Sequence, residues 1–115
     1  MSTEQSTIDY ILDQLSALRD VGARKMFGEY ALYVDGKVVA LICDDALFVK
    51  ITDAGKEVVG EHYTEGFAYK GARASMYISE EQIEDREWLT ELITITADAL
   101  PIPKPKKKVQ KKKVV

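Results

Sequence analysis

The side chains able to do chemistry are few, and most stand at turns. Asp35, Asp44 and Asp45 fall at adjacent loop positions between apolar runs. Three carboxylates so placed could hold a hard cation. With Glu29 nearby, Asp44 and Asp45 could also serve a small hydrolase or ligand-binding domain. Neither chemistry has its usual frame, because no EF-hand pattern surrounds them and Asp is what tight turns prefer. The one histidine, His62, follows a short helical stretch and reads as a cap or a solvated residue. The one cysteine, Cys43, closes an apolar run and reads as a small buried hydrophobe. It also excludes an internal disulfide framework. HExxH, CxxC, GxSxG, GxGxxG and GxxxxGK[ST] are absent. The chain is therefore expected to be no enzyme, and to hold no metal and no cofactor.

Binding chemistry is better represented. Arg24-Lys25-Met26-Phe27-Gly28-Glu29-Tyr30 couples two cations, a large apolar pair and a glycine at the entrance to a hairpin. It can be a recognition corner, with Arg24 and Lys25 offering charge and Phe27 and Tyr30 flat surface. Its plainer reading makes Met26 and Phe27 core. Tyr33, Phe48, Tyr69 and Tyr77 can share one sheet face, where aromatics either stack bases or pack under helices or a second subunit. The third feature is a cluster of seven lysines: Lys104, Lys106, Lys107, Lys108, Lys111, Lys112 and Lys113. Clustered lysines release counterions on meeting a polyanion, which gives weak, sequence-independent and salt-dependent attachment to nucleic acid. Solubilisation, folding back on the acidic body and nuclear import are the competing uses.

The charges split along the chain. Residues 1–100 carry nine basic and all nineteen acidic residues, net −10, while residues 101–115 carry +7. A −10 body argues against the folded domain being the main polyanion-binding surface. About a hundred residues make one domain able to close its own core. Its 46% hydrophobic content and 30% charge are those of a globular chain. No apolar run approaches the roughly 20 residues of a membrane helix. The first residues, Met-Ser-Thr-Glu-Gln, lack a secretory pattern. A cytoplasmic protein without membrane contact is expected.

The elements that must position these side chains follow from periodicity. Ile8, Ile11, Leu12, Leu15 and Leu18 form one helical stripe, with Ser6 or Thr7 to cap it and Gly22 at its end. Residues 24–51 change to period two and predict a three-stranded meander, turning at Asp35-Gly36 and Asp44-Asp45. Thr52 or Asp53 caps a short helix to about Glu61, which Gly55 and Gly60 weaken. Phe67–Tyr69 and Ala74–Ile78 predict two strands around a turn, and Ser79 with Gln82 a capping box. A final helix from Asp85 to Leu100 survives the β-branched run Ile93–Thr96, since its apolar stripe continues on both sides. Pro101 and Pro103 end it. The division is a domain over 1–100 and a disordered lysine-rich tail over 101–115.

Around Arg24–Lys50 the text resembles the N-terminal domain of the TfoX/Sxy family of bacterial competence regulators. Arg24, Met26, Phe27, Gly28 and Tyr30 carry the resemblance, followed by Leu32-Tyr33, Asp35-Gly36, Ala40-Leu41-Ile42, Asp45, Leu47 and Lys50. It runs more loosely through Phe67, Tyr69 and Met76-Tyr77. The resemblance implies an α+β fold, α-β(3)-α-β(2)-α in two layers with an antiparallel sheet, similar to type III secretion chaperones. It also implies a non-catalytic regulatory or interaction module with a protein partner in transcription control, and by analogy a homodimer. Two departures stand out: a lysine tail replaces the second, helical domain of the long regulators, and Glu29 and Ala31 stand where glycine is frequent. The competing readings are a structural adaptor with a solubilising tail and the carboxylate-based domain around Asp44 and Asp45.

Overall fold

The computed structural model describes residues 3–18, 20–26 and 29–101. Helix α1 spans Gln5–Gln14, and strands β1 (Val21–Met26), β2 (Glu29–Val34), β3 (Lys37–Cys43) and β4 (Ala46–Val49) follow. Helix α2 (Asp53–Val59) runs into a single 3-10 turn, Gly60–His62. Strands β5 (Glu65–Phe67) and β6 (Ala74–Ile78) come next, then helices α3 (Glu80–Glu84) and α4 (Arg86–Ala99). The strands form one antiparallel sheet in the order β1-β2-β3-β4-β6-β5. This is the α+β class expected.

The predicted turns form for the expected reasons. Asp35 (φ 53°) and Gly36 (φ 80°) both take positive φ, as a type I′ hairpin turn requires. Asp44 and Asp45 do the same at 53° and 62° without a glycine. Asp tolerates this region because its short side chain bonds locally. Thr52 caps α2 by accepting the Gly55 N–H at 2.9 Å. Ser79 and Gln82 close a reciprocal capping box on α3. Asp85 then accepts the Trp88 N–H and starts α4 as a separate helix, so the final helical stretch is two pieces. The run Ile93–Thr96 is helical.

Three boundaries differ from the sequence reading. The apolar stripe ends its helix at Gln14, although Leu15 remains fully buried in the turn beyond. The structure adds β1 to the meander: Val21–Met26 has weak strand preferences, yet it pairs residue for residue with β2, and Gly22 lies within it. Tertiary pairing here overrides local propensity. Strand β5 ends at Phe67, and Tyr69 belongs to the turn that follows. Phe27, Gly28 and the seven lysines from Lys104 to Lys113 lie outside the described residues, as does the expected disorder of the tail.

Alternation across the sheet sorts its side chains. One face carries the buried rows Leu32-Ala40-Val49-Met76 and Ile42-Leu47-Ile78. These pack with Ile8 and Ile11 of α1, Val59 of α2, Ile83 of α3, and Leu89, Leu92 and Ile93 of α4. All four helices therefore lie over this face. The other face carries Arg24-Ala31-Leu41-Phe48-Tyr77 in register, with Tyr33 opposite Val38. Tyr33, Val38, Leu41, Phe48 and Tyr77 are not among the core residues, and among the described residues all the helices pack on the other face.

Candidate functional site

The uncovered sheet face is the candidate site. Its central strands present aliphatic Val38 and Leu41, and β4 presents Phe48 beside them. The connection from β5 to β6 rises along one side, bringing Tyr69 and Arg73 over the sheet edge. Lys50 and Leu100 complete the rim. Together they enclose an open trough of about 740 Å³.

The aromatic arrangement has local causes. Phe48 lies across β6 toward β5, where Gly66 leaves room for it. A Cβ at Gly66 would stand 3.1 Å from Phe48 Cε2. One flank of the ring therefore rests on bare backbone. Tyr77, opposite Phe48 in register, meets it with ring centroids 5.8 Å apart and planes inclined at 58°, a favourable tilted pair. Tyr69 is 59% and Tyr77 37% exposed. Toward β1, the Arg24 guanidinium sits 5.2 Å over the Tyr33 ring. The expectation that Tyr33, Phe48 and Tyr77 share a face agrees with the register, and Tyr69 joins them from the turn.

The electrostatics of this face oppose those of the whole body. Among the described residues, Lys50 and Arg73 line the trough and no carboxylate does. Arg24, Lys50 and Arg73 are exposed. Among the described residues the one ion pair is Arg86–Asp13, 3.1 Å long and on the helical side. Among the described residues these three cations form no ion pair.

The predicted recognition corner is divided. Arg24 pairs with Ala31 and faces outward, whereas Tyr30 pairs with Ile42 on the helical face. The Tyr30 hydroxyl donates to Gln5 Oε1 of α1 at 3.2 Å. Met26 ends β1. So Arg24 belongs to the candidate site and Tyr30 to the packing of α1. Lys50, Arg73 and Gly66 were not singled out from sequence as site residues. The signal that could have found Lys50 is its outward parity, one residue past Val49.

Two of the carboxylates expected to do chemistry, those of Asp45 and Glu29, do structural work. Asp45 Oδ1 accepts the Glu4 N–H at 2.8 Å and the Thr7 hydroxyl at 2.9 Å, capping α1 from the β3–β4 turn. Glu29 Oε1 accepts the buried Thr3 hydroxyl at 2.6 Å and the Asp44 N–H at 3.1 Å. Burial raises the Cys43 thiol pKa, and the charges of Glu29 and Asp44 raise it further. His62 is exposed at the end of the 3-10 turn. Among the described residues no group of His, Cys, Asp and Glu is placed to hold a metal ion. No helix there is long and apolar enough to cross a membrane.

Two comparisons with known proteins bear on this architecture. The model of the TfoX N-terminal domain matches residues 13–100. A protein of Spirochaeta aurantia, described as an uncharacterized 12.7 kDa protein in the trpE 5′ region, is 40% identical over 107 residues. That similarity spans 93% of this chain and 91% of the relative.

Proposed function

The chain belongs to the TfoX N-terminal domain family, associated with competence regulation, and on that premise we propose a non-catalytic regulatory module that acts by contact. The observation that carries this reading is the open face: an aromatic and aliphatic trough rimmed by cations that form no ion pair among the described residues. A surface of this kind suits association. Two of the carboxylates that a hydrolase would need, those of Asp45 and Glu29, are engaged with the chain's own amides and hydroxyls. In this reading the protein works in the cytoplasm with a protein of the transcription machinery. The seven lysines between Lys104 and Lys113 attach it without sequence preference to nucleic acid.

The test compares the full chain with a full-length variant carrying glutamine at those seven lysines, measuring duplex DNA binding against salt. Counterion release gives the native chain a log–log slope of about −0.9 per phosphate neutralised. The reading expects a steep slope that collapses in the variant. Negligible binding by both proteins at low salt would refute the nucleic-acid part of it.

A further inference from the structure

We propose that the trough on the open sheet face holds a short acidic segment of a partner protein, with an apolar side chain seated on the floor and carboxylates against the rim cations. The inference rests on the contact-module reading above and names the chemistry of the partner that this face takes.

Three observations converge on this occupant. The first is the floor. Val38, Leu41 and Phe48 are half-buried without belonging to the core, and the exposed Tyr69 ring stands beside them. An apolar side chain set among them leaves water on most of its sides, which is how an interface anchor gains its energy. The floor is also held in shape. Phe48 rests over Gly66, where a Cβ would meet it at 3.1 Å, and leans on Tyr77 with ring centroids 5.8 Å apart. A floor held in this way loses little freedom on binding. The second observation is charge. Residues 1–100 carry −10, yet the described residues that line the trough include Lys50 and Arg73 and no carboxylate. A local reversal of sign selects an anionic partner and orients it. Two cations match a pair of carboxylates, whereas the acidic body around them repels a long polyanion. The third is shape. The trough is an open hollow of about 740 Å³. A second copy would present the same hollow and bring the same two cations to the same interface, since a two-fold contact matches a patch with itself. A segment projecting from another protein fills the hollow and neutralises its rim.

The test is a selection from a phage library of random short peptides on the full chain. Peptides that also bind the full-length variant Lys50→Glu with Arg73→Glu are first removed, which discards those held elsewhere on the chain. The inference expects the survivors to combine an aromatic or large aliphatic residue with aspartate or glutamate. A survivor would then be synthesised, labelled and titrated by fluorescence anisotropy. Tyr69→Ala should weaken it by about fivefold or more, as truncation of an anchor contact does. Lys50→Gln with Arg73→Gln should weaken it by about two- to thirtyfold, the range for two exposed ion pairs. The same double variant should remove most of the salt dependence of binding. Exchanging the peptide's carboxylates for amides should weaken it equally and cancel the effect of the double variant, as a double-mutant cycle requires of groups in contact. Lys50 and Arg73 are exposed and form no ion pair among the described residues, so the double variant keeps the test valid if Tyr69→Ala fails to fold.

Survivors that lack acidic residues, or that bind the parent and the double variant equally, would overturn the inference while leaving the contact-module reading intact. A dimer in sedimentation that Tyr69→Ala dissociates would overturn it and assign the face to a second copy. An oligothymidylate that displaces the peptide and loses affinity with Tyr69→Ala would overturn it in favour of a nucleic acid. A selection that leaves no peptide, with a monomer in sedimentation, would refute both the inference and the contact-module reading on which it rests.

Discussion

Gly55 stands inside α2, where replacing glycine by alanine ordinarily stabilises a helix by about 0.5–1 kcal/mol. Its surroundings reverse that sign. A Cβ there would lie 2.9 Å from Thr52 Oγ1, 3.2 Å from Met76 Cε and 3.3 Å from Thr96 Oγ1. Met76 Cε ends a flexible chain and can move. Thr52 Oγ1 cannot retreat freely, because it accepts the Gly55 N–H and so caps the helix. Thr96 is buried on α4 and β-branched. Overpacking of this kind costs about 1–3 kcal/mol, and a displaced cap about 1 kcal/mol. Against the propensity gain, Gly55→Ala should destabilise the fold by about 1–3 kcal/mol. Urea unfolding followed by Trp88 fluorescence would measure it, with the midpoint lowered and the slope unchanged. The melting temperature should fall by roughly 5–15 °C. Adding Thr96→Ala should recover part of the loss, a non-additive pair of the kind expected for atoms in contact. A Gly55→Ala protein more stable than the parent would refute the close approach of α2 and α4.

Other expectations follow from single contacts. Thr96 Oγ1 is buried with no hydrogen-bond partner among the described residues, so Thr96→Val should be neutral or stabilise by up to about 1 kcal/mol in the same unfolding assay. Asp45→Ala removes the cap of α1 and places alanine at φ 62°, which should cost about 2 kcal/mol. Asp45→Asn keeps an acceptor and tolerates the backbone, so its unfolding midpoint should stay close to the parent's. The Cys43 thiol, raised above its ordinary 9.0, should react with an aromatic disulfide at pH 8 far more slowly than free cysteine. Because the unfolded thiol ionises first, its contribution to stability holds below pH 9 and is lost as pH rises through the folded value. Cys43→Ala should therefore flatten the alkaline decline of the unfolding midpoint.

The elements legible in the sequence are those specified by neighbours. Asp35-Gly36 requires its turn conformation, Ser79 and Gln82 find one another within a single helical turn, and alternation puts Tyr33, Phe48 and Tyr77 on one side of the sheet. The illegible parts depend on distant partners. Val21–Met26 becomes a strand because β2 offers it a complete ladder. Gly55 reads as a weak point until α4 is seen against it. The aromatic face is readable as a face, but only the placement of four helices on the opposite side leaves it open. Arg24 and Tyr30, six residues apart, read as one corner. The parity of two paired strands sends them to opposite sides.

The cap of α1 has a kinetic consequence. The helix has no side-chain cap of its own at Glu4, and Asp45 provides one from a turn 41 residues away. Ten residues are too few for a helix to persist alone in water. The hairpins β2–β3 and β3–β4 need only local contacts, and such contacts form early. Helix α1 should then dock onto a meander that has already closed its turns, late in folding and first to leave. Its amides would exchange with solvent through a partial opening that spares β2–β4, making the amino-terminal helix a separate cooperative unit of the domain.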